Sequence, residues 1–320
     1  MSRNPYHIEG QEPTLRRSAF VFMDLLGYSD LALKAQASGT AQVELRAIHQ
    51  ALSAGRKWLQ DDEVSEGMKA LAKKDFYALI AFTDNIVIGW PIRDDGEIEF
   101  GDAFFKLGAF QFQMVLAGYF VRGALSIGDA YVDEVAVFGD ALMESYAGES
   151  KLARDPRIIL TKSAVDATKL HLTYYANGKH APHVRDVLRD SDGQWFLNYL
   201  ECVLWAEDDS GPFYGEFEKH KSAVEAKLAE HKANPAIWSK YAWVAGYHNF
   251  FCDLHSHHFG DEHKVDVELF KQPPGLIVWG LTSQSTGIAI ARFACNCNAV
   301  IGNVRPHKRH RCRLRQTTPL

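Results

Sequence analysis

No stretch of this chain is apolar for long enough to cross a bilayer, and no signal-peptide pattern opens it, so a cytoplasmic protein without a membrane partner is expected. Positive charge is not in excess either. Lys and Arg number 35 against 40 Asp and Glu, a formal charge of −5, which argues against a nucleic-acid-binding protein while leaving room for a local basic phosphate site. Cysteines are few and odd in number, five in all, at Cys202, Cys252, Cys295, Cys297 and Cys312. They suit free thiols in a reducing compartment rather than a disulfide framework. Repeats and low-complexity tracts are missing. So are a Gly-Gly-Asp-Glu-Phe-type signature and a His/Asp phosphohydrolase metal set, which weighs against a diguanylate-cyclase-like enzyme or a phosphodiesterase.

What is present is a chain of 320 residues with 47% hydrophobic content, enough for one substantial domain with additions. An apolar strand, Phe20 to Met23, ends in Asp24, and Asp84 sits between the apolar runs Ala78 to Phe82 and Ile86 to Ile88. Carboxylates at the tips of buried strands are costly to leave unpaired, and a hard divalent cation is a partner suited to oxygen ligands with a side open to phosphate. Taken singly, Asp24 also reads as a helix cap and Asp84 as a hairpin-turn residue.

Gly27 and Tyr28 follow Asp24 and open a helix expected over about 30–59, where free amides favour an anion such as a triphosphate. The hairpin over 78–90 leads to a helix over about 100–117, a strand over 119–128 containing Arg122, and a helix running from Asp140 to about Leu152. The order is an α/β (α+β) fold with a βαββαβ core of ferredoxin-like type.

Phe22-Met23-Asp24-Leu25-Leu26-Gly27-Tyr28-Ser29, Thr83-Asp84, Arg122-Gly123-Ala124-Leu125-Ser126-Ile127-Gly128 and Phe138-Gly139-Asp140-Ala141 together resemble the catalytic domain of class III nucleotidyl cyclases. The chain looks most like the pyrimidine cyclases of bacterial Pycsar antiphage defence, across about 18–205. The resemblance implies a metal-dependent cyclase. Asp24, the Leu25 main chain and Asp84 would hold two divalent cations per site, Mg²⁺ or Mn²⁺. The product would be a 3′,5′-cyclic nucleotide plus pyrophosphate, made in a homodimer with composite sites and read by a separate effector through the cyclic nucleotide alone.

Departures from the family pattern sharpen this expectation. Ile80 and Ala136 stand where purine cyclases place the polar pair that reads the base, and Phe22 stands where the family places an aromatic against it. Neither Ile80 nor Ala136 can hydrogen-bond a base through its side chain, so ATP and GTP lose their usual contacts. The overall resemblance to the uridylate members of that family, rather than any single residue, implies UTP ahead of CTP. Met143 and Ala147 replace the asparagine and arginine that the family uses on the ribose and the transition state. A cation is still needed, and Lys151 and Arg154, four and seven residues beyond Ala147 on a continuing helix, are candidates together with Arg122. These missing residues also keep open a nucleotide-binding sensor that does not turn over.

Four segments are expected: an N-terminal piece over 1–17, the cyclase domain over 18–206, a helical extension over 207–272 whose aromatic stretch from Ile237 to Phe251 packs on the core, and a partly basic tail over 273–320. Cys295 and Cys297 with His307, His310 and Cys312 could be drawn as a zinc site, but their irregular spacing weighs against it. His255, His257 and His258 read as exposed side chains.

Overall fold

Strand β1 (Arg16–Leu25) is apolar on both faces because both are covered. Ala19, Val21, Met23 and Leu25 join one apolar cluster, while Phe20 and Phe22 join another on the opposite side of the sheet. In this computed structural model, residues 4–7, 10–59, 77–176, 181, 183–204 and 211–270 and the backbone of 291–292 are described.

The chain runs from β1 through α1 (Tyr28–Ala37) and α2 (Ala41–Leu59) to the hairpin of β2 (Ala78–Phe82) and β3 (Asn85–Pro91). It continues through α3 (Glu97–Leu116) to β4 (Val121–Val132). These strands lie in the order β2-β3-β1-β4, with β1 antiparallel to both neighbours. That is the βαββαβ arrangement expected from the sequence. β5 (Val137–Gly139) pairs back on β4 and feeds α4 (Asp140–Lys151). Beyond β4 the sheet continues with β6 (Ile158–Leu160), parallel to β4, then β8 (Trp195–Leu197), β7 (Val187–Arg189) and a two-residue strand β9 (Ala291–Arg292). Helices α5 (Lys162–Leu172) and α6 (His183–Asp186) connect β6 to β7.

One expected boundary changes and another holds. The single helix over 30–59 is broken at Gly39, whose φ of 72° admits a reversal in which Gly39 N donates to Gln36 O and Thr40 N to Ala35 O, closing α1 before α2 begins. The helix after Gly139 ends at Lys151 with Leu152 as its cap, so Arg154 lies beyond it in the connection to β6.

The C-terminal extension consists of α7 (Tyr214–Glu230) and α8 (Pro235–Leu254), which share one apolar cluster with α3 and β8. Trp243 and Tyr247 of α8 both pack edge-on against Phe196, as the aromatic stretch led one to expect. The fully buried Arg157 guanidinium lies 5.1 Å from the Trp243 ring and pairs with Asp190 and Asp192, while the Trp243 indole donates to Asp190 at 2.7 Å. A buried charge is tolerated only with such partners, and this one ties the extension to the sheet. His255 is not exposed as expected: it is buried, 3.7 Å from Glu201. Cys202 and Cys252 are free and buried. The tail over 273–320, with its Cys and His residues, lies outside the described residues apart from the β9 backbone. No helix among the described residues is long and apolar enough to cross a membrane.

Candidate functional site

Cross-strand register places Asn85, Asp24 and Arg122 in one row across β3, β1 and β4. Directly opposed side chains on neighbouring strands are close enough to interact. Arg122 Nε donates to Asp24 Oδ1 at 2.9 Å and Nη2 to Oδ2 at 3.1 Å, the two-pronged geometry that guanidinium and carboxylate favour. Asp84 arrives from the β2–β3 turn, where Thr83 takes a φ of 53°. Its Oδ1 accepts from Thr83 Oγ1 at 2.9 Å and from Asn85 Nδ2 at 3.0 Å, and its carbonyl accepts from Leu25 N at 2.8 Å. That last bond brings the two strand tips together.

A third carboxylate completes the group. Ala141, Ser145, Gly148 and Glu149 form the buried face of α4. At Gly148 the helix comes so close to the sheet that an added Cβ would stand 2.8 Å from the Ala124 side chain. This approach carries Glu149 to Arg122, with Oε1 2.9 Å from Nη2. The contact is near but not aligned: no donor among the described residues reaches that buried oxygen in hydrogen-bonding geometry. Burial, with the charge of Asp24 next, pushes the Glu149 carboxyl above its usual range against the pull of Arg122, and Asp84 adds to the rise. Burial opposes the charge on Arg122, but its bond to Asp24 and the charges of Asp24 and Glu149 prevail and raise its pKa. Sequence reasoning passed over Glu149. Its helical spacing from Ala141 and Ser145 was the available signal, since that face had to meet the sheet.

The remaining expected residues divide. Leu25 turns its side chain into the core. Gly27 caps α1 in the left-handed region and Tyr28 begins the helix, half-buried against the core. Phe22 and Ile80 lie two rows in from Asp24, joined through Val87. The Phe22 ring is 7% exposed and covered edge-on by Tyr146 at 5.3 Å, so within one chain its face is not open to a base. Ala136 is exposed in the β4–β5 turn, its amide bonded to Asp133. Lys151 is exposed at the end of α4. Arg154, off the helix, pairs with the buried Asp155 at 3.2 Å, so the helical face that was to present both residues does not form. Arg122 is the cation that reaches Asp24.

Asp24, Asp84, Glu149 and the Leu25 carbonyl are hard oxygen donors of the kind that suits Mg²⁺ or Mn²⁺. The Glu149 oxygen without a hydrogen-bond donor, within the field of Asp24 and Asp84, suits a divalent cation in donor type. As placed, Arg122 takes both Asp24 oxygens, and no group of three His, Cys, Asp or Glu among the described residues is set to hold a metal.

No protein family's sequence pattern matches the chain, and no curated protein is similar to it. Among solved structures, a class III adenylyl cyclase-like ATP-binding protein from Pseudomonas aeruginosa is similar at 13% identity with a TM-score of 0.38. The similarity covers 52% of this chain and 39% of that one, so the chain spans well under half the length of that protein.

Proposed function

We propose that this protein is a class III-type nucleotidyl cyclase that converts a pyrimidine nucleoside triphosphate, UTP ahead of CTP, into its 3′,5′-cyclic monophosphate and pyrophosphate, as a messenger of the Pycsar kind. The carrying observation is the meeting of Asp24 and Asp84 through the Leu25 N to Asp84 O bond at the end of a βαββαβ sheet, with Arg122 and Glu149 beside them. Asp24, Asp84 and the Leu25 carbonyl would hold two divalent cations, which when bound supply Lewis-acid activation of the ribose 3′-oxygen and neutralise phosphate charge. Arg122 pairs with Asp24 and, once released from it, is placed to stabilise phosphate oxygens.

The base pocket carries no side-chain donor or acceptor at Ile80 or Ala136, so size is the discriminator. A purine would overfill a space packed for a pyrimidine, at a cost of about 1–3 kcal/mol or roughly ten- to a hundredfold in rate. The site is composite in this reading. Val135 (92% exposed), Phe138 (66%), Met143 (65%) and Tyr146 (51%), the last of them against Phe22, leave apolar surface uncovered along the β4–β5 turn, β5 and α4, and a second copy of the chain would cover it.

One observation favours a second reading, a nucleotide sensor without turnover: Arg122 occupies both oxygens of Asp24. Incubation with each of the four NTPs and Mn²⁺, followed by mass spectrometry and pyrophosphate measurement, separates the two. Cyclic UMP as the main product supports the cyclase reading. Cyclic AMP or cyclic GMP would overturn the pyrimidine choice, and nucleotide binding without pyrophosphate would favour the sensor.

A further inference from the structure

The cyclase reading leaves a charge unassigned. Two carboxylates, Asp24 and Glu149, share one guanidinium, the charge of Asp84 also acts on Glu149, and Met143 and Ala147 offer no cation. The cations expected from α4 do not fill the gap, since Lys151 is exposed at the helix end and Arg154 is drawn to Asp155.

Helix α8 of the extension supplies another. Tyr241 packs edge-on against Phe120 at 5.0 Å, and Phe120 O accepts from Leu26 N, so this part of α8 rests where β1 leaves the sheet and β4 enters it. Trp243 lies over Arg157, whose carbonyl accepts from Gly123 N, one residue after Arg122. Lys240 immediately precedes Tyr241 on the same helix. It is half-buried and lies within electrostatic reach of Arg122, Asp24, Asp155, Arg154 and Glu149. Burial and then the charge of Arg122 push its ammonium below the usual lysine range, while Asp24 and Asp155 pull the other way. An ammonium held partly out of water beside a carboxylate group is poised to gain from an arriving anion, because partial burial strengthens the attraction.

We infer that Lys240, delivered by the C-terminal helical extension, is a phosphate-binding residue of the nucleotide site, meeting the polyphosphate of a nucleoside triphosphate in place of the cation that α4 lacks. The inference rests on the nucleotidyl-cyclase reading and gives the extension a part in the site. α8 is pinned by Tyr241 and Trp243, so the Lys240 stem starts from a fixed backbone and less freedom is lost on binding.

The test uses the full chain and its Lys240→Met and Lys240→Arg variants, because methionine keeps an apolar stem without charge and arginine restores the charge. Binding of UTP and of UMP is measured by calorimetry with Mg²⁺, and turnover by pyrophosphate release. Lys240→Met should weaken UTP on the order of ten- to a hundredfold, leave UMP much less affected, and regain most of the loss as Lys240→Arg. A second measurement needs no variant: UTP should protect the Lys240 amine of the parent from acylation, read by mass spectrometry. UTP affinity and turnover within twofold of the parent in Lys240→Met, or equal Lys240 labelling with and without UTP, would overturn the inference while the cyclase reading stands. A parent chain that binds no NTP and releases no pyrophosphate would bring down that reading, and this inference with it.

Discussion

Arg122 and Asp24 face each other across adjacent antiparallel strands, and the guanidinium closes on both carboxylate oxygens at 2.9 and 3.1 Å. The carboxylate most expected to hold a cation is therefore already neutralised by a side chain from the same sheet. Cation and guanidinium compete for the same oxygens.

This competition is measurable. Arg122→Met should bind Mn²⁺ more tightly than the parent in the absence of nucleotide, on the order of tenfold, while losing turnover. Titration followed by electron paramagnetic resonance reads the free Mn²⁺. Weaker Mn²⁺ binding in the variant would show that Arg122 does not restrain Asp24.

The two aspartates should differ in stability cost but not in activity. Asp84→Ala removes an acceptor that, among the described residues, serves Thr83 and Asn85 at the hairpin tip, whereas Asp24→Ala takes away the main partner of a partly buried guanidinium. A charged hydrogen bond of that kind is worth about 1.5–3 kcal/mol, so Asp24→Ala should show the lower urea midpoint. Both variants should release essentially no pyrophosphate. Turnover within tenfold of the parent in either one counts against the metal assignment.

Assembly is tested at the uncovered apolar surface. Met143→Glu with Val135→Lys places charge where a second copy is proposed to sit, and both positions are solvent-exposed in the single chain, so folding should be unaffected. Sedimentation should show a dimer for the parent and a monomer for the variant, with activity lost alongside. A parent that is monomeric at working concentration and fully active would end the composite-site proposal.

Stability should fall in mild acid because of buried histidines, His183 within the core and His220 and His248 between the core and the extension. His248 Nε2 must donate to the His263 carbonyl, which leaves Nδ1 to accept from His220 Nδ1, and His220 Nε2 in turn accepts from the Tyr199 hydroxyl. Every atom in this chain is satisfied only when both rings are neutral. Burial drives the His220 pKa well below that of a free imidazole and those of His248 and His183 down to about 4. Between about pH 6.5 and pH 4 the unfolded chain therefore binds protons that the folded one refuses. Stability is lost as pH falls through that window, by about 1.4 kcal/mol per pH unit for each such histidine. Urea titrations at pH 7.5, 6 and 5 should show a falling midpoint, and a flat profile would contradict the assignment.

The sequence by itself determined the order of β1, the β2–β3 hairpin, α3 and β4, and with it the placing of Asp24 and Asp84 at strand ends. Those signals are local: apolar runs too short for helices, Gly27 after a strand, and Thr83-Asp84 between two such runs. The break at Gly39 was also written locally, in a glycine where a helix reverses, but the favourable residues on either side outweighed it. Tertiary structure alone decided what surrounds the aspartates. Arg122 reaches Asp24 across 98 residues of sequence because strand register sets them opposite each other. Glu149 enters because Gly148 lets α4 lie close on Ala124, and the docking of Tyr241 and Trp243 on Phe120 and Arg157 fixes the part of α8 from which Lys240 is proposed to act. Arg154 drops out because the helix ends before it. Periodicity and turn chemistry act over a few residues, whereas the field around a carboxylate is the sum of charges brought near it by register and packing, and those distances exist only once the chain has folded.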